Sequence, residues 1–174
     1  MKHFLSCIKK RSSLLQALLF FVALGAFSSC EEEYKPFDPV KQRETDEKLI
    51  QEYLKNNNVD MAAVTRTNSG LYYLKLDEGT GAKVESGDNV EVKYKGWLLN
   101  GTEFDSNYDS AKPFEFMVGA QRVIAGWDEG LQLMHEGEKA RLYIPSRLGY
   151  GQRPAGTIPA NSVLVFDVEV VDIK

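Results

Sequence analysis

The stretch VKYKGWLLNGTEFDSN, residues 92–107, has the pattern of a β-hairpin. Apolar and polar residues alternate around Tyr94, which is the two-residue period of a strand with one buried face. The pair Asn100-Gly101 follows, and it favours a tight turn because both residues tolerate positive φ. The chain then returns towards Asp105. The strand that carries Tyr94 is therefore predicted to pair with the strand that carries Asp105, so that the two side chains can meet.

Further strands and one helix are predicted on either side of this hairpin. Residues 125–135 place Trp127, Leu131 and Met134 on one helical face, and Gly137 follows as a C-cap glycine would. Short alternating segments predict the other strands, at 71–76, 112–117, 140–144 and 164–170. The predicted fold class is α+β, a curled antiparallel β-sheet wrapped over one short α-helix.

The segment before the sheet is predicted to hold a short helix. In TDEKLIQEYLKNNN, residues 45–58, acidic residues lead and an asparagine cluster ends the pattern. Because about three turns are marginal alone, the apolar stripe is expected to pack on the main domain or on a partner. The stripe consists of Leu49, Ile50, Tyr53 and Leu54. Pro36 and Pro39 favour an extended tether ahead of it.

The first thirty residues have a different composition. Four basic residues precede an apolar stretch, residues 14–27, which is shorter than the about 20 residues that a spanning helix needs. This order predicts a signal peptide over residues 1–29 rather than a membrane anchor. The sequence FSSC, which ends at Cys30, resembles the lipobox of bacterial lipoproteins, so Cys30 is expected to be lipidated. Ordinary cleavage that leaves a free thiol is the alternative.

Charge and residue types exclude several classes of function. From Cys30 onwards the chain carries 17 basic and 25 acidic residues, a net charge of −8, so a nucleic-acid partner is not expected. That part has one cysteine and one histidine, His135, which argues against a metal site, a disulfide and a serine or cysteine triad. The glycines form no phosphate loop or dinucleotide fingerprint. No cofactor is predicted.

Three motifs, in this order, resemble the FKBP-type peptidyl-prolyl cis-trans isomerases. They are the hairpin stretch 92–107, the segment KPFEFMVGAQRVIAGWDEGLQLM at 112–134, and LGYG at 148–151 followed by IPANSVLVFDVEVVDI at 158–173. The resemblance extends from Thr67 to Lys174 and implies the same α+β architecture. The predicted organisation is a signal peptide 1–29, a tether 30–44, an N-terminal helical segment 45–65 and an isomerase domain 66–174.

The resemblance implies a cup of aromatic and apolar side chains that holds a proline ring above a tryptophan. Asp105 is expected to hydrogen-bond near Tyr94 and to face the substrate, while the Tyr150 hydroxyl and the Ile124 N–H donate to substrate carbonyls. The predicted catalytic residues are Tyr94, Phe104, Asp105, Trp127, Tyr150 and Phe166. The predicted substrate-binding residues are Phe114, Val123, Ile124 and Ile158.

Each of these residues also has an ordinary structural explanation. Aromatic residues in a small β-rich domain are most often core, and Asp105 at a strand end is a candidate turn cap. Two departures from the family pattern bear on specificity. The loop 151–157 is one residue shorter than in well-known members, and Thr157 replaces an apolar residue at the pocket border. Macrolide inhibitors are expected to compete for the cup, but more weakly than in typical members.

The resulting prediction is an exported isomerase in the envelope of a bacterium, anchored by lipid, with the outer membrane and its periplasmic or surface face as the expected location. Its substrates are expected to be proline-containing segments of unfolded or exported proteins. A monomer is expected, because longer N-terminal helices make the dimers of some exported relatives. The alternatives are a non-catalytic module that binds a proline-bearing partner, an envelope chaperone, and a structural lipoprotein with a relic pocket. The intact cup residues favour the enzyme.

Replacement of Cys30 by alanine tests the anchor. The Cys30→Ala variant is expected to lose lipid labelling and to leave the membrane fraction, because several acyl chains together hold a protein firmly in a bilayer. Fatty-acid labelling and fractionation of cells measure the two effects. Unchanged membrane retention of the Cys30→Ala variant would refute the assignment.

Overall fold

In the computed structural model, which describes residues 36–174, seven strands form one antiparallel sheet with a helix packed on each face. The predicted signal peptide and Cys30 lie outside the described residues. Within residues 36–174, no helix combines the length and the apolar character that a membrane crossing requires.

The two longest strands lie side by side in the interior of the sheet. The strands are β1 Val64–Arg66, β2 Tyr72–Asp77, β3 Asn89–Leu98, β4 Glu103–Ser106, β5 Phe114–Met117, β6 Lys139–Ile144 and β7 Leu164–Ile173. Their order is β1-β2-β6-β7-β3-β4, and β5 pairs with the first half of β3. β4 pairs with the second half of β3, so the predicted hairpin is confirmed. The strand predicted over 112–117 begins at Phe114.

The sheet buries both of its faces. Along β6, Leu142 and Ile144 belong to the core beneath helix α2, Ala125–Gly130, whereas Tyr143 belongs to the core beneath helix α1, Pro39–Asn56. Consecutive side chains of a strand point to opposite faces, so a strand covered on both sides is apolar at adjacent positions. The predicted antiparallel sheet over one short helix is confirmed for α2. The second face, which the prediction left open, is covered by α1.

Helix α1 begins six residues earlier than predicted. It starts at Pro39, and Asp38 caps it by accepting hydrogen bonds from the Val40 and Lys41 N–H groups at 2.9 and 3.1 Å. The predicted tether over 30–44 is therefore wrong from residue 39 onwards. Proline at a first helical position is favourable because its missing N–H would have no partner there. Pro39 begins the helix and does not extend the chain.

The apolar side of α1 packs on the sheet of the same chain. Ile50 and Leu54 are fully buried, and they join Tyr72 and Tyr143 in one cluster. Of the two predicted alternatives, packing on the main domain is the one found. Leu49, which the predicted stripe also contained, is 39% exposed, so the packed face is narrower than predicted.

Glu47 adds a polar contact to this docking. Its carboxylate accepts hydrogen bonds from Arg66 Nε at 2.9 Å and from the Tyr72 hydroxyl. Burial opposes ionisation of Glu47, but the hydrogen bonds from Arg66 and Tyr72 outweigh it and hold the pKa of this carboxyl below its usual value. A lowered carboxyl pKa stabilises the fold at neutral pH, and that contribution is lost as the pH falls through the folded-state pKa.

Helix α2 is shorter than predicted. It ends at Gly130 and passes into a 3-10 helix, Leu131–Leu133, whereas the sequence predicted a helix as far as residue 135. Its predicted apolar face is confirmed by the buried side chains of Trp127, Leu131 and Met134. Gly137, with a φ of 81°, serves the turn before β6 and does not cap the helix.

Two glycines let α2 lie close to the sheet. A Cβ atom on Gly126 would lie 2.5 Å from Ile144 Cγ2, and one on Gly130 would lie 2.7 Å from Leu142 Cδ1. Both distances are shorter than any real carbon contact. Because the helix lies this close, Trp127, which stands between the two glycines in the sequence, packs against the inner face of the sheet.

Ile50→Ala tests how much the docked α1 contributes to stability. Removal of this fully buried side chain leaves a cavity, and such substitutions cost about 2–5 kcal/mol of unfolding free energy. Leu49→Ala is the matched control on the same helix, because Leu49 is 39% exposed and surface substitutions change stability by about 0.5 kcal/mol or less. Urea denaturation compares the two. Equal losses would show that α1 is not docked in solution.

Candidate active site

Trp127 lies at the centre of an aromatic cluster on the inner face of the sheet. Its side chain is 4% exposed, and its ring centroid lies 5.0 Å from that of Tyr94 and 5.2 Å from that of Phe166. Both contacts are edge-to-face, with interplanar angles of 80°, which is a favoured geometry for aromatic pairs. Phe116, which was predicted as core beneath the pocket, is buried 5.9 Å from Trp127. The indole forms an apolar floor.

Gly96 makes room for two of the rings above this floor. In the pairing of β3 with β7, Gly96 lies opposite Phe166. A Cβ atom at Gly96 would lie 2.6 Å from both Phe104 Cε2 and Phe166 Cε1. The two phenyl rings thus cover the backbone of β3 at this point, and any side chain there would displace them. Gly96 was not among the predicted site residues.

A β-bulge brings two consecutive residues of β4 to the same site. Gly96 pairs with Asp105 and Trp97 pairs with Glu103, so Phe104 is the extra residue between them. In a regular strand, neighbouring side chains point to opposite faces. Here the Phe104 ring lies 5.3 Å from that of Phe166, while Asp105 reaches Tyr94.

The Tyr94 hydroxyl donates a 2.7 Å hydrogen bond to Asp105 Oδ2. The predicted meeting of these two side chains is therefore confirmed. Asp105 is exposed, and its carboxylate does not cap the hairpin turn; Asn100 Oδ1 takes that role by accepting from the Thr102 N–H at 2.9 Å. Burial, followed by the hydrogen bond to Asp105, raises the pKa of Tyr94 well above that of a free tyrosine. Tyr94 therefore stays protonated at neutral pH.

Asn107 fixes the strand that carries Tyr94. Its side-chain oxygen accepts from the Tyr94 N–H at 2.7 Å, and its amide nitrogen donates to the Val92 carbonyl at 2.9 Å. The side chain thus replaces the backbone of β4, which ends at Ser106. Asn107 was not among the predicted site residues. Its only local signal is that it ends the hairpin motif.

The loop before α2 supplies the apolar side of the site. Val123 and Ile124 pack against the same core as Trp127, and Ile158 is buried in it. Asp128 holds this loop by accepting hydrogen bonds from the Gly119 and Gln121 N–H groups at 2.8 and 3.1 Å.

Ile124 presents its backbone to the site on the same loop. Its carbonyl accepts the Trp127 N–H at 2.9 Å, which begins α2. Its own N–H has no acceptor among residues 36–174. A donor of this kind is available to a ligand carbonyl.

Two predicted residues form the open rim. Phe114 is 41% exposed, and its ring lies 6.3 Å from that of Tyr94 and 6.4 Å from that of Trp127. Tyr150 is 42% exposed and lies near enough to Tyr94 to contribute to the rise in the pKa of Tyr94. All ten predicted site residues therefore lie in or around one cluster, although the role of each stays a prediction.

The chemistry open to this cluster is limited. Within the described part of the chain, no three His, Cys, Asp or Glu side chains lie close enough together to hold a metal ion. The buried Trp127 Nε1 has no hydrogen-bond partner among the described residues. The site combines an apolar floor with one phenol–carboxylate pair and an N–H donor at its edge. It suits an apolar ring that is flanked by peptide carbonyls.

Residues 80–171 match the family described as FKBP-type peptidyl-prolyl cis-trans isomerase. The chain belongs to this family, and its fold matches that of solved FKBP structures. It is 53% identical over 106 residues to FK506-binding protein 2 of Dictyostelium discoideum, a match that covers 60% of this chain and 78% of that protein.

Bacterial proteins named FkpA are also similar. The chain is 48% identical over 117 residues to FKBP-type peptidyl-prolyl cis-trans isomerase FkpA of Buchnera aphidicola subsp. Schizaphis graminum, which covers 66% of this chain and 45% of that protein. It superimposes on the crystal structure of FkpA from Escherichia coli with a TM-score of 0.63 and 35% identity, over 78% of this chain and 63% of that one. The chain thus spans about half the length of the FkpA sequences that it matches.

Tyr94→Phe tests the raised pKa of the Tyr94 hydroxyl. Folding raises the pKa of this hydroxyl above the value of about 10 for free tyrosine. The stability that this shift contributes is therefore fully present below about pH 10. The contribution falls as the pH rises towards the folded-state pKa, by up to about 1.4 kcal/mol per pH unit. Urea denaturation at about pH 8 and about pH 10.5 is expected to show a smaller alkaline loss for the variant. Equal losses in variant and wild type would contradict the assignment.

Proposed function

We propose that the domain catalyses cis-trans isomerisation about X-Pro peptide bonds. The observation that carries the proposal is the apolar cup floored by Trp127, with the Tyr94–Asp105 pair at its edge, in a chain of this family. The cup residues are those that the resemblance implies for a proline ring.

The barrier to rotation, about 20 kcal/mol, arises from the resonance of the amide. A planar amide is more polar than the twisted transition state, so removal from water destabilises the ground state more than the transition state. Trp127 and Phe166, 4% and 5% exposed, offer such an apolar surface. Hydrogen bonds that fit only the twisted geometry would lower the barrier further.

Within this proposal, the site residues divide into two groups. Tyr94, Phe104, Phe114, Trp127, Phe166, Val123 and Ile158 enclose the proline ring. The remaining three act through polar groups. The Ile124 N–H and the Tyr150 hydroxyl donate to substrate carbonyls on either side of the proline. Asp105 orients the Tyr94 hydroxyl through the 2.7 Å hydrogen bond and limits which groups of the substrate can approach it.

The proposed setting follows from the first part of the sequence. A signal peptide over 1–29 and a lipid on Cys30 would place the domain in the bacterial envelope, at the outer membrane, where proline-containing segments of unfolded exported proteins are the substrates. The docking of α1 on its own domain favours a monomer, because it buries the apolar stripe that a partner would otherwise cover.

Some relatives are named FK506-binding proteins. A macrolide such as FK506 would bind this cup more weakly than it binds typical family members, because the exposed Thr157 offers little apolar contact.

A non-catalytic module that binds one proline-bearing partner is the rival function. It needs the apolar floor, but it has no use for donors that fit a twisted amide. A protease-coupled isomerisation assay on a short X-Pro peptide distinguishes the two functions directly. Acceleration by the wild-type domain supports the enzyme, and peptide binding without acceleration supports the module.

The pH dependence of the rate tests the mechanism. Isomerisation moves no proton, and the raised pKa of Tyr94 keeps this phenol neutral, so kcat/KM is expected to be flat from about pH 6 to 8, with no appreciable solvent isotope effect. Asp105→Asn is expected to retain part of the activity, because the amide oxygen can still accept from the Tyr94 hydroxyl.

Glu103→Gln serves as a control for the loss of a carboxylate charge on the same strand, because Glu103 is exposed and pairs with Lys95 outside the cup. Circular dichroism establishes that each variant is folded. A steep pH profile in the wild type, together with complete loss of activity in folded Asp105→Asn, would make Asp105 a general acid or base and overturn the mechanism.

A further inference from the structure

Asp46 of α1 is a buried carboxylate whose partner lies far along the chain. It is fully buried, and its Oδ2 accepts hydrogen bonds from the Ser146 N–H at 2.8 Å and from the Ser146 hydroxyl at 2.7 Å. Gln42 Nε2 donates to Oδ1 at 2.7 Å. A buried carboxylate is costly unless its oxygens accept hydrogen bonds, and here both do. Ser146 itself is 1% exposed, so the contact is shielded from bulk solvent.

Ser146 in turn holds the backbone on both sides of Tyr150. It opens the 3-10 helix Ser146–Leu148, and its carbonyl accepts the Gly149 N–H at 3.0 Å and the Gly151 N–H at 2.8 Å. The Gly151 carbonyl then accepts the Asn161 N–H at 2.7 Å. Tyr150 thus lies between two residues whose N–H groups bond to the same carbonyl. Its own carbonyl accepts the Arg153 N–H at 3.2 Å, and its side chain is exposed.

Gly149 packs tightly beneath this segment. A Cβ atom there would lie 2.9 Å from Leu164 Cδ1, so the segment rests directly on β7. A displacement of Ser146 would therefore move Tyr150 along with the two glycines. Within the described part of the chain, the carboxylate of Asp46 is the one group outside this segment that hydrogen-bonds Ser146. The neighbouring residues have their own anchors: Arg147 donates to the Ser69 carbonyl, and Leu148 is buried in the core.

We infer that Asp46 is a positioning residue for Tyr150, so that α1 contributes to the geometry of the active site. Asp46 acts by fixing Ser146, and through the Ser146 carbonyl it sets where the Tyr150 hydroxyl meets the carbonyl of a substrate that flanks the proline. This inference rests on the proposed function, because it assigns Tyr150 a contact with substrate. Its structural half, the coupling of α1 to the 149–151 backbone, stands without it.

Glu47 provides the matched control. It is the next residue of the same helix, its carboxylate also joins α1 to the sheet, and its partners Arg66 and Tyr72 have no hydrogen bond to the Tyr150 segment. Asp46→Asn and Glu47→Gln each replace a carboxylate by an amide of the same shape. The amide oxygen of Asp46→Asn can still accept from Ser146, but more weakly, because hydrogen bonds to a charged acceptor are the stronger ones. Both variants should therefore lower the thermal midpoint, but only Asp46→Asn should alter the site.

The experiment measures kcat/KM for these two variants, at a temperature where both are folded, with and without Tyr150→Phe. Asp46→Asn is expected to lower kcat/KM by about two- to tenfold, the range of one hydrogen bond, and to add no further loss to Tyr150→Phe. Glu47→Gln is expected to leave kcat/KM unchanged in both backgrounds. Equal effects of the two helix variants, or a loss from Asp46→Asn that multiplies that of Tyr150→Phe, would overturn the inference.

Amide hydrogen exchange provides a readout that does not depend on activity. Asp46→Asn should speed exchange of the Gly149 and Gly151 N–H groups relative to Glu47→Gln. Unchanged exchange would contradict the inference even if the enzyme is active. An inactive wild type with accelerated exchange in Asp46→Asn would refute the proposed function but support the coupling of α1 to the 149–151 backbone.

If Asp46→Asn fails to fold, Ser146→Ala is used, since it removes only the hydroxyl contact and keeps the N–H bond. Its smaller loss of kcat/KM must also vanish in the Tyr150→Phe background.

Discussion

The pairing of β3 with β7 is the constraint on which the site depends. Its register places Tyr94 opposite Val168 and Gly96 opposite Phe166, so that the ring of Phe166 rises over a position without a side chain. Side chains alternate between faces, and a slip of one residue would carry Tyr94 to the face that α1 covers. The core beneath α2 holds this register, because four alternate side chains of β7 are buried in it: Leu164, Phe166, Val168 and Val170. On the other face of β7, only Val165 belongs to a buried cluster. The cup and the core beneath α2 therefore depend on the same register.

The local devices of the site act on top of this register. The bulge at Phe104 brings two consecutive residues of β4 to one site, and Asn107 continues the ladder after that strand has ended. The glycines of α2 then allow Trp127 to reach the cluster from the opposite side. Each of these features places a side chain or a hydrogen bond at the site where the regular period of a strand or helix would not place one.

The sequence predicted what depends on local pattern. The hairpin, the meeting of Tyr94 with Asp105 and the apolar face of α2 follow from periodicity and turn chemistry, which neighbouring residues determine. The start of α1 differs from the prediction because proline suits both an extended segment and the first turn of a helix, and here the cap at Asp38 favours the helix. Asp46 gave no signal at all, since a buried carboxylate and a solvated one look the same in a helix until the partner, 100 residues away, is known.

The division of the cup into floor and rim has a consequence for how this domain can vary. Trp127 and Phe166 are core residues as well as pocket residues, so a change that alters their contact with a proline ring also alters stability. Phe114 and Tyr150, each more than 40% exposed, carry little of the core. Under the proposed function, selectivity for the residues that flank the proline is expected to change through the rim and the segments that hold it, while the floor stays fixed. The contact between α1 and Ser146 belongs with the rim in this scheme, because Ser146 holds the backbone on both sides of Tyr150 without forming part of the floor.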